Sequence, residues 1–158
     1  MVDIGARARH DAGVFVGEFV HQVDANGRIT LPSTFREELT GECYLRRDPL
    51  GYLVFIPARA FEAETADVQA KMRAGEAPRS ALRQLAASTR KVTIDKNGRV
   101  TLDEEARQHA GLRAGGTATL VGEAYSFSVW RPSRWAVLSA EDGESTPARV
   151  WDDEDDGE

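Results

Sequence analysis

The sequence predicts an α+β fold built from two tandem copies of one unit, and three observations carry that prediction. Val23-Asp24-Ala25-Asn26-Gly27-Arg28-Ile29-Thr30-Leu31 returns 71 residues later as Ile94-Asp95-Lys96-Asn97-Gly98-Arg99-Val100-Thr101-Leu102, with six of nine positions identical. The pattern around each copy runs in one order: strand, turn, strand, short helix, strand, strand, helix. Between the copies the apolar spacing changes from alternation to helical steps.

The elements follow in chain order. Residues 1–14 mix small residues, charges and a histidine without a period, and read as a flexible extension. Phe19, His21 and Val23 then alternate with Glu18, Val20 and Gln22, as in a strand with one face inward. Asn26-Gly27 supplies positive-φ residues for a tight turn, and Ile29 and Leu31 resume the alternation until Pro32, so a hairpin is expected over 18–32. Ser33 is placed as the N-cap of a short helix carrying Phe35 and Leu39, closed by Gly41. Strands are expected over 44–47 and 52–56, separated by Pro49 and Gly51. Pro57 opens a helix with Phe61, Thr65, Val68 and Met72 on one face, broken by Gly75 and Pro78. Ser80 is placed as the cap of a second, with Leu82, Leu85 and Ala86 in a narrow stripe.

The second copy repeats the order. Val92–Ile94 and Val100–Leu102 flank the Asn97-Gly98 turn, Asp103 takes the N-cap role, and Glu104–Ala110 form the short helix closed by Gly111. Thr117–Val121 and Tyr125–Trp130 are the last strands, and Pro132 and Ser133 begin a helix carrying Trp135 and Leu138. Arg36 and Arg107 hold equivalent helical places. The expected divisions are therefore a first module over 15–60, inter-module helices over 61–88, a second module over 89–132, a C-terminal helix over 133–139 and a disordered acidic tail over 140–158.

The net charge of −6 is segregated. Residues 140–158 hold nine acids against one base, Arg149; setting them aside leaves 19 bases and 17 acids, a body of net +2. The tail reads as a solvated end that aids solubility; the sharper reading is that it competes with phosphate for the basic surface. Cys43 is the single cysteine, which excludes an internal disulfide and suits a small buried hydrophobe in a reducing cytoplasm. No apolar run has the length of a membrane span, and the N-terminus lacks a signal-peptide layout.

The sequence argues against an enzyme. His10, His21 and His109 are scattered, with no metal-ligand spacing, and no nucleophile elbow, P-loop or dinucleotide fingerprint is present. No cofactor, metal or small-molecule substrate is expected. That leaves the repeated D-x-N-G-R turn, for which two readings stand. In the first, Asp24 and Asp95 cap the turns, Gly27 and Gly98 shape them, and the arginines only pair with the acids. In the second, Arg28 and Arg99 are forked donors for phosphate or guanine, with Asn26, Lys96 and Asn97 adding contacts. A surface ion pair contributes about 0–1 kcal/mol, so stability alone poorly explains making it twice.

The chain resembles the MraZ family of bacterial transcriptional regulators. The resemblance covers roughly 15–138. It is carried by Phe15-Val16-Gly17, by Asp24/Arg28 and Asp95/Arg99 at their fixed spacing, and by Ala106-Arg107-Gln108-His109-Ala110-Gly111-Leu112. Leu120-Val121-Gly122, Phe127-Ser128-Val129-Trp130 and Trp135 complete it. It implies two SpoVT/AbrB-like modules of the β-α-β swapped-hairpin type, forming a pseudo-dimeric β-barrel core with flanking helices. It further implies a ring-shaped homo-oligomer, cytoplasmic and nucleoid-associated. Such a ring binds direct repeats in double-stranded promoter DNA of the division and cell-wall gene cluster, commonly as a repressor. One departure is internal: Pro32 is replaced by Asp103 in the second copy, so the two turns need not contact DNA equally. The rival reading is an antitoxin-like interaction module that uses its acidic tail.

Overall fold

The computed structural model describes residues 14–39 and 42–145. Strands are β1 (Glu18–Gln22), β2 (Arg28–Thr30), β3 (Glu42–Asp48), β4 (Tyr52–Pro57), β5 (Thr89–Thr93), β6 (Arg99–Thr101), β7 (Thr117–Gly122) and β8 (Phe127–Trp130). Helices are α1 (Ser33–Glu37), α2 (Ala58–Arg73), α3 (Arg79–Ala87), α4 (Glu104–Ala110) and α5 (Pro132–Ser145).

Six strands form one antiparallel sheet in the order β1-β7-β8-β4-β3-β5, and β2 and β6 form a separate two-stranded ribbon. The six-strand order is a palindrome of the repeat: each strand of one copy sits opposite its counterpart in the other, about a line between β8 and β4. On the same line, Ile29 pairs with Val100 at the centre of the ribbon. The mixed α+β class and the internal duplication are thus present in the topology. The expected barrel is not. The sheet ends at β1 and β5, and the ribbon strands pair with each other instead of closing it.

The hairpin expected over 18–32 is corrected in the same way. The strand before each turn leaves its own copy: β1 pairs with β7, from Glu18↔Val121 to Gln22↔Thr117, and β5 pairs with β3. Only the bridge between Val23 and Ile29 remains of the first hairpin. The Val23 backbone explains the divergence, since its N–H donates to Gly116 at 2.8 Å and its carbonyl accepts from Gly115 at 2.7 Å. Alternation identifies the inward face of β1 but is silent about its neighbour.

Both copies feed one core. Phe15, Phe35, Phe55 and Phe127 are fully buried and share it with Val23, Ile29, Leu31, Val100 and Leu102. Phe127 is central among the rings, with centroids 4.6 Å from Phe35, 4.9 Å from Phe55 and 5.2 Å from Phe15. Cys43 lies in this core with no exposure, and burial pushes its thiol up to about 12. Helices α2 and α5 follow equivalent strands and cover the opposite face of the sheet. Phe61 stacks on Tyr44 at 4.4 Å, Glu64 takes a forked pair from Arg46, and Trp135 lies 5.3 Å from Trp130. Phe61, Thr65, Val68 and Met72 are all half-buried, as their spacing predicts.

Several element ends differ from expectation. Ser33 is the first residue of α1 and Pro32 stands at its cap, with no side-chain acceptor; likewise Pro78, not Ser80, precedes α3. A proline pre-sets its own φ, so a helix can start directly after it without a polar cap. Asp103 caps α4 as expected, accepting from Ala106 N at 2.8 Å, and Gly111 ends that helix at φ 69°. β8 starts at Phe127 because Ala124, at φ 71°, turns the chain before it. α5 runs six residues past 139, to Ser145: acidic side chains do not remove a backbone donor, and no proline lies between Pro132, at its start, and Pro147. Gly41, residues 1–13 and the tail from 146 lie outside the described residues.

Candidate nucleic-acid interface

The two D-x-N-G-R turns have one geometry. In the first, Asp24 Oδ1 accepts from Asn26 N at 2.8 Å and Arg28 N at 2.9 Å, while Oδ2 accepts from Arg28 Nε at 2.9 Å. In the second, Asp95 Oδ1 accepts from Asn97 N at 2.8 Å and Arg99 N at 2.9 Å, while Oδ2 accepts from Arg99 Nε at 3.0 Å. Each carboxylate therefore organises three donors. The Arg28 backbone N–H, joined by the Arg28 side chain and the Asn26 N–H, holds Asp24 below the usual carboxylate value; Arg99 and Asn97 do the same for Asp95.

The backbone closes around them. Gly27 N donates to Asp24 O at 3.0 Å and Gly98 N to Asp95 O at 2.9 Å. Only the glycines carry the left-handed conformation, at φ 78° and 76°; the expectation that Asn26 and Asn97 share it is corrected. One positive-φ residue after a four-residue turn suffices for a three-residue loop, so the asparagines are free to serve otherwise.

Register puts the two arginines together. Arg28 lies opposite Thr101 and Thr30 opposite Arg99, with Ile29 and Val100 between them and buried. Side chains alternate along a strand, so Arg28, Thr30, Arg99 and Thr101 share the face turned away from the core. Two residues of rise and one strand spacing set the arginine backbones roughly 8 Å apart on that face. With Nε taken by its own aspartate, each guanidinium keeps both Nη groups without a further hydrogen bond among the described residues. Asn26, Lys96 and Asn97 are exposed at the turn tips. The arrangement presents charge-bearing forks of fixed direction, which is what an anionic backbone or a guanine edge requires.

Two residues without a role in the sequence reading belong to this surface. Arg36, on α1 of the first copy, donates from Nη1 to the carbonyl of Asn97 at 3.0 Å. Arg107, on α4 of the second copy, donates from Nη1 to Leu102 O at 2.7 Å, and its guanidinium lies against Gly27. Their equivalent places in the repeat were the available signal; that each reaches to the turn of the other copy depends on the swapped pairing. Two further arginines are engaged away from the turns. Arg47 pairs with Glu105 at 2.5 Å, and Arg90 pairs with both Asp103 and Glu105. Among the described residues no cluster suits a metal ion, and no helix is long and apolar enough to cross a membrane.

The family model described as "MraZ protein", of antitoxin-like character, matches residues 85–153. The chain is 32% identical over 144 residues to a transcriptional regulator MraZ of Corynebacterium efficiens, covering 91% of this chain and 99% of that protein. This chain belongs to the MraZ family. Other members agree over similar lengths. Transcriptional regulator MraZ of Acetivibrio thermocellus is 32% identical, with 84% of this chain and 91% of that one aligned. The Roseiflexus protein of the same name is 30% identical, with 84% and 92% aligned. The family relationship extends over most of the chain, turn motifs included.

Proposed function

We propose that this MraZ family member is a sequence-specific DNA-binding regulator of transcription. Its DNA-contacting residues are Arg28 and Arg99, assisted by Asn26, Lys96 and Asn97. The single observation behind this reading is the pair of identical aspartate-braced turns, which hold two arginines on one solvent face of the β2–β6 ribbon. The names of the relatives support regulation of transcription. The finer reading is a cytoplasmic, nucleoid-associated ring of two-module subunits. It binds direct repeats upstream of the division and cell-wall gene cluster and represses it. A ring suits a body of only mildly basic charge, because linked contacts raise avidity by roughly 10²–10⁴.

The test is a mobility-shift titration on the duplex upstream of the protein's own gene, with light scattering on the same samples. Arg28→Glu combined with Arg99→Glu is expected to abolish the shift and leave oligomer mass unchanged. Dissociation of the oligomer instead would make the arginines interface residues and defeat the reading. The family description as antitoxin-like favours one other outcome. Stoichiometric capture of a nuclease through residues 140–158, with no DNA shift, would select the interaction-module reading.

A further inference from the structure

The geometry points to Arg36 as a positioning residue for the DNA-contacting turn of the opposite repeat, with Arg107 as its counterpart, so that the two turns work as one composite reading surface. This rests on the assignment of Arg28 and Arg99 to DNA.

The Asn97-Gly98 peptide is held from both sides. Within its own copy, Asn97 N donates to Asp95 Oδ1 at 2.8 Å and Gly98 N to Asp95 O at 2.9 Å. From the other copy, Arg36 Nη1 donates to Asn97 O at 3.0 Å, and Leu31 N to Gly98 O at 2.9 Å. Packing is close: a Cβ on Gly98 would meet Arg36 Nη1 at 1.9 Å and its Cδ at 2.1 Å. Asp95, whose three donors include the Arg99 side chain, is thus reached from Arg36 through one peptide. Moving Arg36 moves the frame on which Lys96, Asn97 and Arg99 are aimed.

The first turn has the mirrored arrangement with one difference. Leu102 N donates to Gly27 O at 2.8 Å, and Arg107 Nη1 donates to Leu102 O at 2.7 Å. A Cβ on Gly27 would meet Arg107 Nη1 at 1.8 Å. Arg107 therefore acts on the Gly27 turn by packing and through Leu102, whereas Arg36 bonds the opposite turn directly. Among the described residues neither arginine has an acidic partner: their hydrogen bonds go to carbonyls of the turn framework. An arginine kept near phosphate only for its charge has no need to dock its fork on a peptide carbonyl of the other repeat.

The experiment is a double-mutant cycle on the full chain with the upstream duplex, each variant first checked for folding by thermal melting. Arg36→Ala is expected to weaken binding about tenfold, the worth of one lost charge-assisted hydrogen bond. In an Arg99→Ala background that loss shrinks to under about twofold, whereas in an Arg28→Ala background it persists in full. The slope of affinity against salt stays at the wild-type value for Arg36→Ala, while Arg28→Ala lowers it by about one. Arg36→Lys restores part of the affinity. Amide spectra without DNA supply a second reading: Arg36→Ala shifts Asn97 and Gly98 and leaves Asn26 and Gly27 in place. Additivity with Arg99→Ala, or a salt slope reduced by one, would make Arg36 a direct phosphate contact and overturn the proposal. Unmoved Asn97 and Gly98 amides would overturn it even if DNA binding were absent. If the amides shift as stated but Arg28→Ala and Arg99→Ala leave affinity intact, the assignment of the turns to DNA fails and the clamp alone stands.

Discussion

Ile29 lies directly opposite Val100 at the centre of the two-stranded ribbon, and the two are 0% and 1% exposed. Here the repeats meet strand against strand through equivalent residues, as they also do at Val54 and Ser128 between β4 and β8, and the turns bearing Arg28 and Arg99 lie at the two ends of the ribbon. Apolar packing of Ile29 and Val100 therefore supports both turns at once.

Ile29→Ala is expected to cost about 2–5 kcal/mol, from lost burial plus the cavity it leaves. Val100→Ala costs less. Because the side chains share one space, the double variant loses less than the sum of the singles. Urea denaturation of the three variants checks this, and strict additivity would mean that the two residues do not share a packing site.

The aspartates make a prediction about pH. Asp24 and Asp95 titrate below the ordinary 3.8 in the folded protein, because the charged form accepts the backbone N–H of Arg28 or Arg99 and its side chain. A depressed pKa means the turn's contribution is present above the unfolded value and lost as pH falls through the folded one. The turns therefore keep their shape from pH 5 to 8, and DNA affinity in that window carries no step from these carboxylates. Carboxyl carbon titration by NMR should place both midpoints under 3.8. A midpoint at or above that value would contradict the three-donor geometry.

How far the sequence reveals this arrangement depends on the range of the interaction. The D-x-N-G-R turn is legible because all its bonds join residues within four positions, from Asp24 to Arg28 and from Asp95 to Arg99. The Asp103 cap is legible for the same reason. Partner choice is not: β1 has the right inward face for pairing with β2 or β7, and bonds from Val23 to Gly115 and Gly116, about 90 residues away, decide it. Arg36 and Arg107 were visible as equivalents, but their reach to opposite turns follows only once β2 and β6 are paired. The end of α5 is not legible either: the acidic run begins at 141, but charge leaves the backbone donors in place and the helix continues to Ser145.

Cys43 is expected to resist thiol reagents in the native state. It is fully buried and burial raises its thiol to about 12 from an ordinary 9.0, so the reactive thiolate is scarce at pH 8. Ellman-type labelling should proceed only as fast as the chain opens, and denaturant should release one thiol per chain. The sign for stability is the opposite of the aspartates'. With the folded pKa raised, the neutral thiol's contribution is intact below about pH 9 and lost as pH climbs toward 12. Wild type should lose stability faster than Cys43→Ala between pH 9 and 11, by at most about 1.4 kcal/mol per pH unit. Parallel profiles would place Cys43 in contact with solvent.

The Pro32/Asp103 difference separates the two copies and can be read in one helix. Asp103 Oδ1 caps α4 through Ala106 N at 2.8 Å, while its Oδ2 pairs with Arg90. α1, with Pro32 in that place, has no side-chain cap and is five residues long against seven. Asp103→Asn keeps an oxygen for Ala106 N and removes only a half-exposed ion pair, so it should cost a few tenths of a kcal/mol. Asp103→Ala removes the cap as well and should cost about 1 kcal/mol. If the two variants lose equally in urea denaturation, the ion pair with Arg90 matters more than the cap. In that case the charge chain Arg47–Glu105–Arg90–Asp103, not helix capping, holds α4 beside the second turn.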